Sequence, residues 1–238
     1  MQDTPIVTLS FFRFAGPLAR AWALGMMGAA RVSLPRVPGI GFWKLCGSGT
    51  GEGFTPLPNT AVYAILASWP DEETARQQTE NAAVFQRYKR RSDENWTVFL
   101  ETSSARGNWS GRAPFCPTGR RPTGPLAALT RATIRPGVAM KFWQRVPDIS
   151  RMIGADRNVA FKIGIGEVPL LHQVTFSIWP DAAAMAGFAR ENGPHAAAIR
   201  AVRDGNWFSE ELYARFAILG DAGTWDGTSP LRNLDISA

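Results

Sequence analysis

The 238-residue sequence contains only two histidines and two cysteines, so few side chains are available to bind a transition metal. Cys46 and Cys116 are too far apart for a zinc ribbon, a CxxC redox pair or covalent haem attachment, and their scarcity favours a reducing compartment. Any metal site is therefore expected to be built mainly from His172 or His195, or from carboxylates. The absence of a Gly-x-Ser-x-Gly motif also argues against a hydrolase with a serine nucleophile.

Long apolar runs are missing as well. No stretch has the roughly 18 uninterrupted apolar residues of a membrane-spanning helix, and the best candidate, residues 18–34, contains Arg20 and Arg31. The beginning of the sequence lacks the order of a signal peptide, because residues 8–14 are typical of a folded strand. The sequence therefore predicts a cytoplasmic protein. Its 45% hydrophobic and 19% charged residues are typical of one globular domain or two small ones.

Acidic residues are absent between Thr102 and Pro147, and this stretch holds much of the positive charge of a chain whose net charge is +6. Such a stretch is either a solvated linker or a dock for an anionic membrane surface or an acidic electron-transfer partner. Nucleic acid is disfavoured, because no RNA-binding or zinc-finger motif accompanies the charge. The basic residues are Arg106, Arg112, Arg120, Arg121, Arg131, Arg135, Lys141 and Arg145.

An internal repeat organises the sequence. Residues 61–75 correspond to residues 173–186, so that Trp69-Pro70-Asp71 matches Trp179-Pro180-Asp181, 110 residues later. A repeated unit of this length predicts two similar halves. Three weaker matches keep the same order: Trp22 with Trp143, Phe42-Trp43-Lys44-Leu45 with Ala160-Phe161-Lys162-Ile163, and Asn95-Trp96 with Asn206-Trp207.

Each half is predicted to contain strand, helix, strand, strand, helix and strand, which is the ferredoxin-like order. A four-stranded sheet with helices on one face must bury its other face, and a second copy can cover it. We therefore expect an α+β fold in which tandem ferredoxin-like repeats form a pseudo-dimeric α/β barrel. The N-terminal half is predicted at 1–101, a basic Gly/Pro-rich linker at 102–126 and the C-terminal half at 127–238. The elements predicted for the first half are 7–14, 18–31, 41–46, 61–69, 71–91 and 97–100, and 213–219 is the closing strand of the second half.

Several candidate sites have a simple structural interpretation. The glycine run between Gly47 and Gly53 fits neither a GxGxxG nor a P-loop pattern and is better explained as a hairpin loop. Cys116, which precedes a proline, is either a thiolate ligand for haem or an inert thiol, and the second interpretation is simpler. His172 opens a predicted strand and is interpreted as a surface or hairpin residue.

His195 differs from His172 in its context. It follows Gly193-Pro194 at a predicted helix start, and three alanines follow it, whose small side chains would let a flat macrocycle approach. The equivalent position of the first half is Phe85. An imidazole in one half where the other has a phenyl ring indicates an inward-facing metal ligand, with a hydrogen-bonded structural histidine as the alternative.

Five long runs of the sequence are idiosyncratic: TLSFFRF (8–14), PGIGFWKLCGSGTGEGFTP (38–56), WTVFL (96–100), SARGNWSGRAPF (104–115) and GPHAAAIRAVR (193–203). Through them the chain resembles the spheroidene monooxygenase family, the acyclic carotenoid 2-ketolases of purple photosynthetic bacteria. This family is similar in layout to the dimeric α/β-barrel haem proteins, among them chlorite dismutases, dye-decolorising peroxidases and aldoxime dehydratases. The resemblance implies haem b, with its iron bound by His195. Glu191, four residues earlier, is the candidate partner for the second imidazole nitrogen.

The resemblance also implies a reaction and its partners. A carotenoid such as spheroidene would be hydroxylated twice at C2 with O2 and electrons from a ferredoxin-type donor, and loss of water from the gem-diol would leave the ketone spheroidenone. Acid–base side chains cannot attack an unactivated C–H bond, so a redox cofactor is needed. Because the substrate dissolves in lipid, we expect peripheral contact with the cytoplasmic face of the inner or photosynthetic membrane. The alternatives are a haem peroxidase or dehydratase of the same fold, or a tandem ferredoxin-like binding module without catalysis.

Overall fold

A computed structural model describes residues 4–51, 55–144, 159–190 and 207–234. Within them, eight strands close into one antiparallel barrel in the order β1-β3-β2-β6-β7-β5-β8-β4. The strands are β1 (Ile6–Arg13), β2 (Trp43–Gly49), β3 (Pro58–Trp69), β4 (Glu94–Gly107), β5 (Leu126–Ile134), β6 (Phe161–Gly166), β7 (His172–Trp179) and β8 (Phe208–Gly223). The helices are α1 (Pro17–Ser33), α2 (Glu72–Asn81), α3 (Ala83–Arg91) and α4 (Ala182–Arg190), with 3-10 turns at Leu34–Arg36 and Pro136–Val138 and further helical residues at 139–144.

The barrel consists of two ferredoxin-like half-sheets, which confirms the predicted fold class. The order β4-β1-β3-β2 belongs to the first half, and β8-β5-β7-β6 repeats it in the second. One seam joins β4 and β8 over most of their length, whereas the other joins β2 and β6 through only the pairs Gly47↔Gly166 and Ser48↔Ile165. None of the described helices is both long and apolar enough to cross a bilayer.

The strand pairing confirms the repeat at its strongest match. Trp69 ends β3 and pairs with the first residue of β1, and Trp179 ends β7 and pairs with the first residue of β5. Asp71 and Asp181 then each accept a hydrogen bond from the backbone N–H three residues further on, at 2.6 and 2.7 Å. The Trp-Pro-Asp sequence therefore marks the same turn from strand to helix in both halves.

Two of the weaker matches are wrong in register. Strand pairing makes Phe161 equivalent to Phe42 rather than to Trp43, and both phenylalanines pack into the barrel interior. Trp96 is equivalent to Leu212 and not to Trp207, which lies before β8 begins. A shift of one residue turns a strand side chain to the opposite face. Aligning aromatic residues between the halves therefore gave the wrong register for these residues, although the predicted order of the elements was right.

Some predicted element bounds also need correction. The helix predicted over 71–91 is two helices, because Ala82 is extended (φ −63°, ψ 136°) and separates α2 from α3. This break allows Val84, Phe85 and Tyr88 of α3 to be buried. The strand predicted over 97–100 is much longer, since β4 runs to Gly107 and pairs along its length with β8.

Apolar side chains fill the barrel interior. Phe11 stacks on Trp96 with ring centroids 5.6 Å apart, and Phe161 and Phe176 pack against the same phenyl ring. Side chains that alternate with these point outward and pack beneath the helices of the first half, so a second apolar cluster forms there. The sheet of the first half is therefore buried on both faces.

Two tight turns, here called the Trp turns, cover opposite ends of the barrel. The first is Trp109-Ser110-Gly111-Arg112 after β4, and the second is Trp225-Asp226-Gly227-Thr228 after β8. In each, the two central residues have positive φ and the first and fourth residues exchange backbone hydrogen bonds. The turns are 116 residues apart, which is the separation between equivalent residues of β4 and β8, and they extend the repeat beyond the matches found in the sequence.

Gly107, which leads into the first Trp turn, is expected to be intolerant of any side chain. Its φ is +95°, and an added Cβ would lie 2.1 Å from the carbonyl oxygen of Glu211. We expect Gly107→Ala to lower the free energy of unfolding by at least about 3 kcal/mol, because it combines a backbone clash with an unfavourable φ. Gly111→Ala is the control, since its φ of +73° adds strain in open space; it should cost about 1 kcal/mol. Equal losses in urea unfolding curves would contradict this interpretation.

Candidate functional site

The predicted haem-binding residues His195 and Glu191 lie outside the described residues. His172 is the first residue of β7 and follows the turn of the β6–β7 hairpin, as predicted, and Cys116 is exposed. In the part of the chain that the structure describes, no group of three or more His, Cys, Asp or Glu side chains could hold a metal ion. Of the glycine run interpreted as a hairpin loop, Gly47 and Gly49 belong to strand β2 and Gly51 lies in the turn that follows it, while Gly53 lies outside the described residues.

Large side chains cover the outward face of the sheet in the first half. Two cross-strand pairs at its centre are Phe12 with Tyr63 and Leu45 with Ile65, and all four side chains belong to the apolar cluster under the helices. Phe85 of α3 is fully buried in the same cluster. Apolar packing therefore fills the space between sheet and helices in this half.

The equivalent face of the second half carries small and polar side chains. The pair Phe12–Tyr63 is replaced by Ala132–Gln173, and the pair Leu45–Ile65 by Gly164–Thr175. The buried apolar cluster described on this side contains only Leu126, Trp179 and Met185. These replacements remove much side-chain volume from one face of the sheet, so this face is a candidate surface for a planar group.

A charged cluster lies inside the barrel beneath the first Trp turn. Arg131 of β5 is 1% exposed, and its guanidinium forms an ion pair with Glu210 at the start of β8. Glu210 also accepts hydrogen bonds from the backbone N–H groups of Ser110 and Gly111, at 3.0 and 2.6 Å. The Arg131 guanidinium lies 5.7 Å from the centre of the Trp109 ring. The turn is thus attached to the sheet of the second half mainly by charge-assisted hydrogen bonds.

Three further ionisable residues extend this cluster toward the short β2–β6 seam. The Lys44 ammonium lies 2.7 Å from the Glu167 carboxylate and donates to the Ser110 hydroxyl at 2.6 Å. The Trp109 indole N–H donates to the other oxygen of Glu167 at 2.6 Å, and His172 Nδ1 lies 3.6 Å from that oxygen. Residues from both halves therefore meet at this end of the barrel.

The cluster shifts the pKa values of two of its members downward. Burial lowers the pKa of His172, and the positive charges of Arg131 and Lys44 add to this, while Glu167 and Glu210 oppose it. Burial alone would raise the pKa of Glu210, but the N–H groups of Gly111 and Ser110 together with Arg131 outweigh it and lower that pKa. The fold therefore favours neutral His172 and ionised Glu210.

The opposite end of the barrel repeats part of this arrangement. Glu94 accepts a hydrogen bond from Gly227 N–H at 2.7 Å and pairs with Arg13 at 2.9 Å, and the Arg13 guanidinium lies 4.2 Å from the centre of the Trp225 ring. Neither Glu–Arg–Trp group is predicted by the sequence patterns described above. The detectable signal was the Trp-x-Gly spacing, which recurs after 116 residues.

The basic stretch between Thr102 and Pro147 is not one exposed patch. Arg131 points into the barrel, Arg120 pairs with Glu101 at 2.6 Å, and the Arg106 guanidinium lies 5.0 Å from the centre of the Tyr213 ring. A stretch that looked uniform in the sequence therefore includes cations with separate structural roles, because it contains parts of two strands and the segment that connects them.

Comparison with known proteins gives three relatives named spheroidene monooxygenase. The chain is 53% identical to that of Cereibacter sphaeroides over 229 residues, 94% of this chain and 70% of that protein. It is 51% identical to that of Rhodobacter capsulatus over 230 residues, 95% of each chain. Identity to that of Rubrivivax gelatinosus is 35% over 211 residues, 89% of this chain and 81% of the other. No protein-family model matches the sequence.

Solved structures with a similar fold include two of aldoxime dehydratase. One has a TM-score of 0.60 at 10% identity and covers 91% of this chain and 82% of its own. The other, in complex with butyraldoxime, has a TM-score of 0.59 at 8% identity and covers 91% and 80%. At such low identity the likeness shows a shared fold.

Substitution of Glu210 tests the charged cluster. Glu210→Gln leaves buried Arg131 without its counter-charge and should cost about 3 kcal/mol. Glu94→Gln is the matched control at the other end of the barrel, where Arg13 is 32% exposed; a partly solvated pair should cost about 1 kcal/mol or less. Chemical unfolding at pH 7 measures both, and equal losses would contradict a special role for the buried pair.

The pH dependence of the free energy of unfolding follows from the lowered pKa values of His172 and Glu210. Both pKa values are lower in the fold than their ordinary values of 6.5 and 4.5, so the unfolded chain binds more protons in acid. The stability from His172 is complete above its ordinary pKa and is lost as the pH falls below it, and Glu210 adds a further loss at lower pH. The Glu210→Gln variant should lack that second, more acidic decrease.

Proposed function

The chain belongs to the spheroidene monooxygenase family, and on that premise we propose that it oxidises spheroidene to a ketone. The observation that carries this proposal is the identity of 51–53% over nearly the whole chain to two spheroidene monooxygenases. The proposed reaction is two hydroxylations at C2, each consuming O2, two electrons and two protons and releasing water. The gem-diol then loses water to give the carbonyl group.

The proposed cofactor is haem, and the described residues fit a planar group of that kind. The small side chains of Ala132, Gly164 and Thr175 share one sheet face, where the first half has Phe12, Leu45 and Ile65. When bound, haem would supply the activation of O2 that no side chain can provide. The sheet of the second half would support one face of the macrocycle, and its apolar and small residues would exclude water from it.

The proposed iron ligand is His195, which follows the last residue of α4 by five positions in the sequence. Its counterpart in the repeat, Phe85, is fully buried, with its ring 6.2 Å from that of Trp69. A side chain at this position in the first half therefore faces the sheet, which supports assigning the same direction to an imidazole in the second. Glu191 is proposed to accept a hydrogen bond from the imidazole nitrogen that does not bind iron and so to fix the orientation of the ring.

Two partners complete the proposal. Spheroidene dissolves in lipid, so the enzyme must meet it at a membrane surface, and electrons are proposed to come from a reduced ferredoxin-type protein. Haem-dependent peroxidase and dehydratase activities are the alternatives that the assay must separate, because the fold by itself does not determine the reaction.

The test is a product assay combined with an absorption spectrum. The purified wild type should show a Soret band and convert spheroidene to its ketone with O2 and a reduced ferredoxin, and His195→Ala should lose both. His172→Ala and Cys116→Ala are the controls and should keep the band. A Soret band that survives His195→Ala but not Cys116→Ala would show thiolate ligation instead. Turnover of peroxide or aldoxime without ketone formation would refute the proposed reaction.

A second substitution tests the proposed haem surface independently of the ligand. Ala132→Phe introduces the side chain that the first half has at the equivalent position, and it would occupy the space proposed for the macrocycle. We expect haem content per folded protein to fall at least about tenfold, because the added volume competes with the cofactor. Ala132→Ser keeps the side chain small and should retain haem. Full haem occupancy in Ala132→Phe, measured by pyridine haemochrome, would place the cofactor elsewhere.

A further inference from the structure

The large apolar side chains that are exposed among the described residues lie in four segments of the chain. Three lie on α1, namely Leu18, Leu24 and Val32. The other four lie in the β2–β3 loop, the β6–β7 turn and the helical residues 139–144. They are Leu57, Val168, Leu170 and Met140.

A groove connects these elements. It has a volume of about 270 Å³ and lies between α1 and the two hairpins, with Leu24 on one wall and Val168 and Leu170 on another. Leu57 lies between two prolines that line the groove. The helical residues 139–144 reach the same rim, because the Trp143 indole N–H donates to the Leu170 carbonyl at 2.9 Å. Leu24, Val168 and Leu170 line this groove, and Leu18 and Val32 lie on the exposed face of the same helix as Leu24. We call the exposed apolar residues of these four segments the apolar rim.

The solvent-facing side of α1 is unusual for a helix on a soluble protein. A surface helix normally turns charged and polar residues outward, but Arg31 is the one charged residue among the exposed residues of α1. The inner face packs on the sheet through Ala23, Met26 and Ala30. The remaining exposed residues of α1 are Pro17, Leu18, Ala21, Leu24, Gly25, Gly28, Ala29 and Val32.

The charge on the exposed face of α1 is positive, because its one charged residue is Arg31. Glu167, which lines the groove, is paired with Lys44. Arg31 is exposed beside the rim, with its Nε donating to the Met27 carbonyl at 3.0 Å. A surface with apolar side chains and neighbouring cations attracts anionic lipid head groups and can insert between acyl chains.

We propose that the apolar rim is the surface by which this protein docks on an anionic lipid bilayer. Leu18, Leu24 and Val32 enter the boundary between head groups and acyl chains, and Arg31 stays at the level of the lipid phosphates. The proposal rests on the proposed function in one respect, since the bilayer is where a carotenoid substrate dissolves. Of the basic stretch between Thr102 and Pro147, the apolar rim includes only the helical residues 139–144 with Met140.

Vesicle sedimentation of the full chain tests the docking surface. The wild type should bind vesicles of phosphatidylcholine with phosphatidylglycerol more tightly than vesicles of phosphatidylcholine alone. Combined Leu18→Ser, Leu24→Ser and Val32→Ser substitutions should weaken binding to the anionic vesicles at least about tenfold, because three apolar side chains lose their burial in lipid. Arg31→Gln should weaken only the binding to anionic vesicles, by about fivefold. Gln77→Ser, at an exposed position of α2, is the control and should change neither.

Two further measurements keep the result interpretable. The double variant Leu57→Ser with Val168→Ser changes the loop residues of the same rim and should also weaken vesicle binding. The test therefore still works if the triple substitution on α1 prevents folding. If the α1 variant converts a wild-type dimer to a monomer in sedimentation velocity while vesicle binding is unchanged, the rim is an interface between copies and the proposal is overturned. Unchanged vesicle binding in both rim variants would overturn it as well.

A further assay distinguishes failure of the proposed docking surface from failure of the proposed reaction. With spheroidene in detergent micelles, the rim variants should form ketone at the wild-type rate, whereas with spheroidene in vesicles their rate should fall in proportion to binding. If the wild type makes no ketone in either medium but the rim variants still lose vesicle binding, the proposed reaction is wrong and the docking surface stands.

Discussion

The burial of one half-sheet against the other is the constraint on which the rest of the structure depends. Each half has one sheet face that its own helices do not cover, and closing the barrel removes both faces from water. The interior is then filled by rings such as Phe11, Trp96, Phe161 and Phe176. Because side chains occupy this space, the surface proposed for haem is on the outside of a sheet rather than in the barrel interior.

The outward faces of the two half-sheets carry different side chains, and this difference indicates different roles for the two halves. The first half keeps Phe12, Tyr63 and Phe85 in a closed apolar cluster, so it supplies stability. The second half has Ala132, Gly164 and Thr175 on the equivalent face, and its described part lacks a cluster of comparable size. Loss of packing in one copy is tolerable when the other copy and the shared barrel hold the fold together.

The sequence was sufficient to predict the order of the elements and the barrel, because both follow from hydrophobic alternation and from a turn with a specific cap. Trp69 and Trp179 sit at such turns, where an Asp side chain must follow to bind the helix N-terminus. Register was harder, since nothing local in the sequence distinguishes Phe42 from Trp43 as the inward residue. The role of Arg131 was also hidden. A buried cation is recognised only when its partner, Glu210, can be placed beside it, and the two are 79 residues apart.

Through the Trp turns, each half of the chain contributes a segment that covers one end of the barrel. The turn that follows the last strand of the first half covers the barrel end built mainly by the second half, and the turn that follows β8 covers the end built by the first. Two separate copies of one half could make the same exchange only as a dimer with swapped arms, which would fall apart on dilution. In a single chain the arms meet their sites at the effective concentration set by the covalent connection, so the closure of this barrel does not depend on how much protein the cell contains.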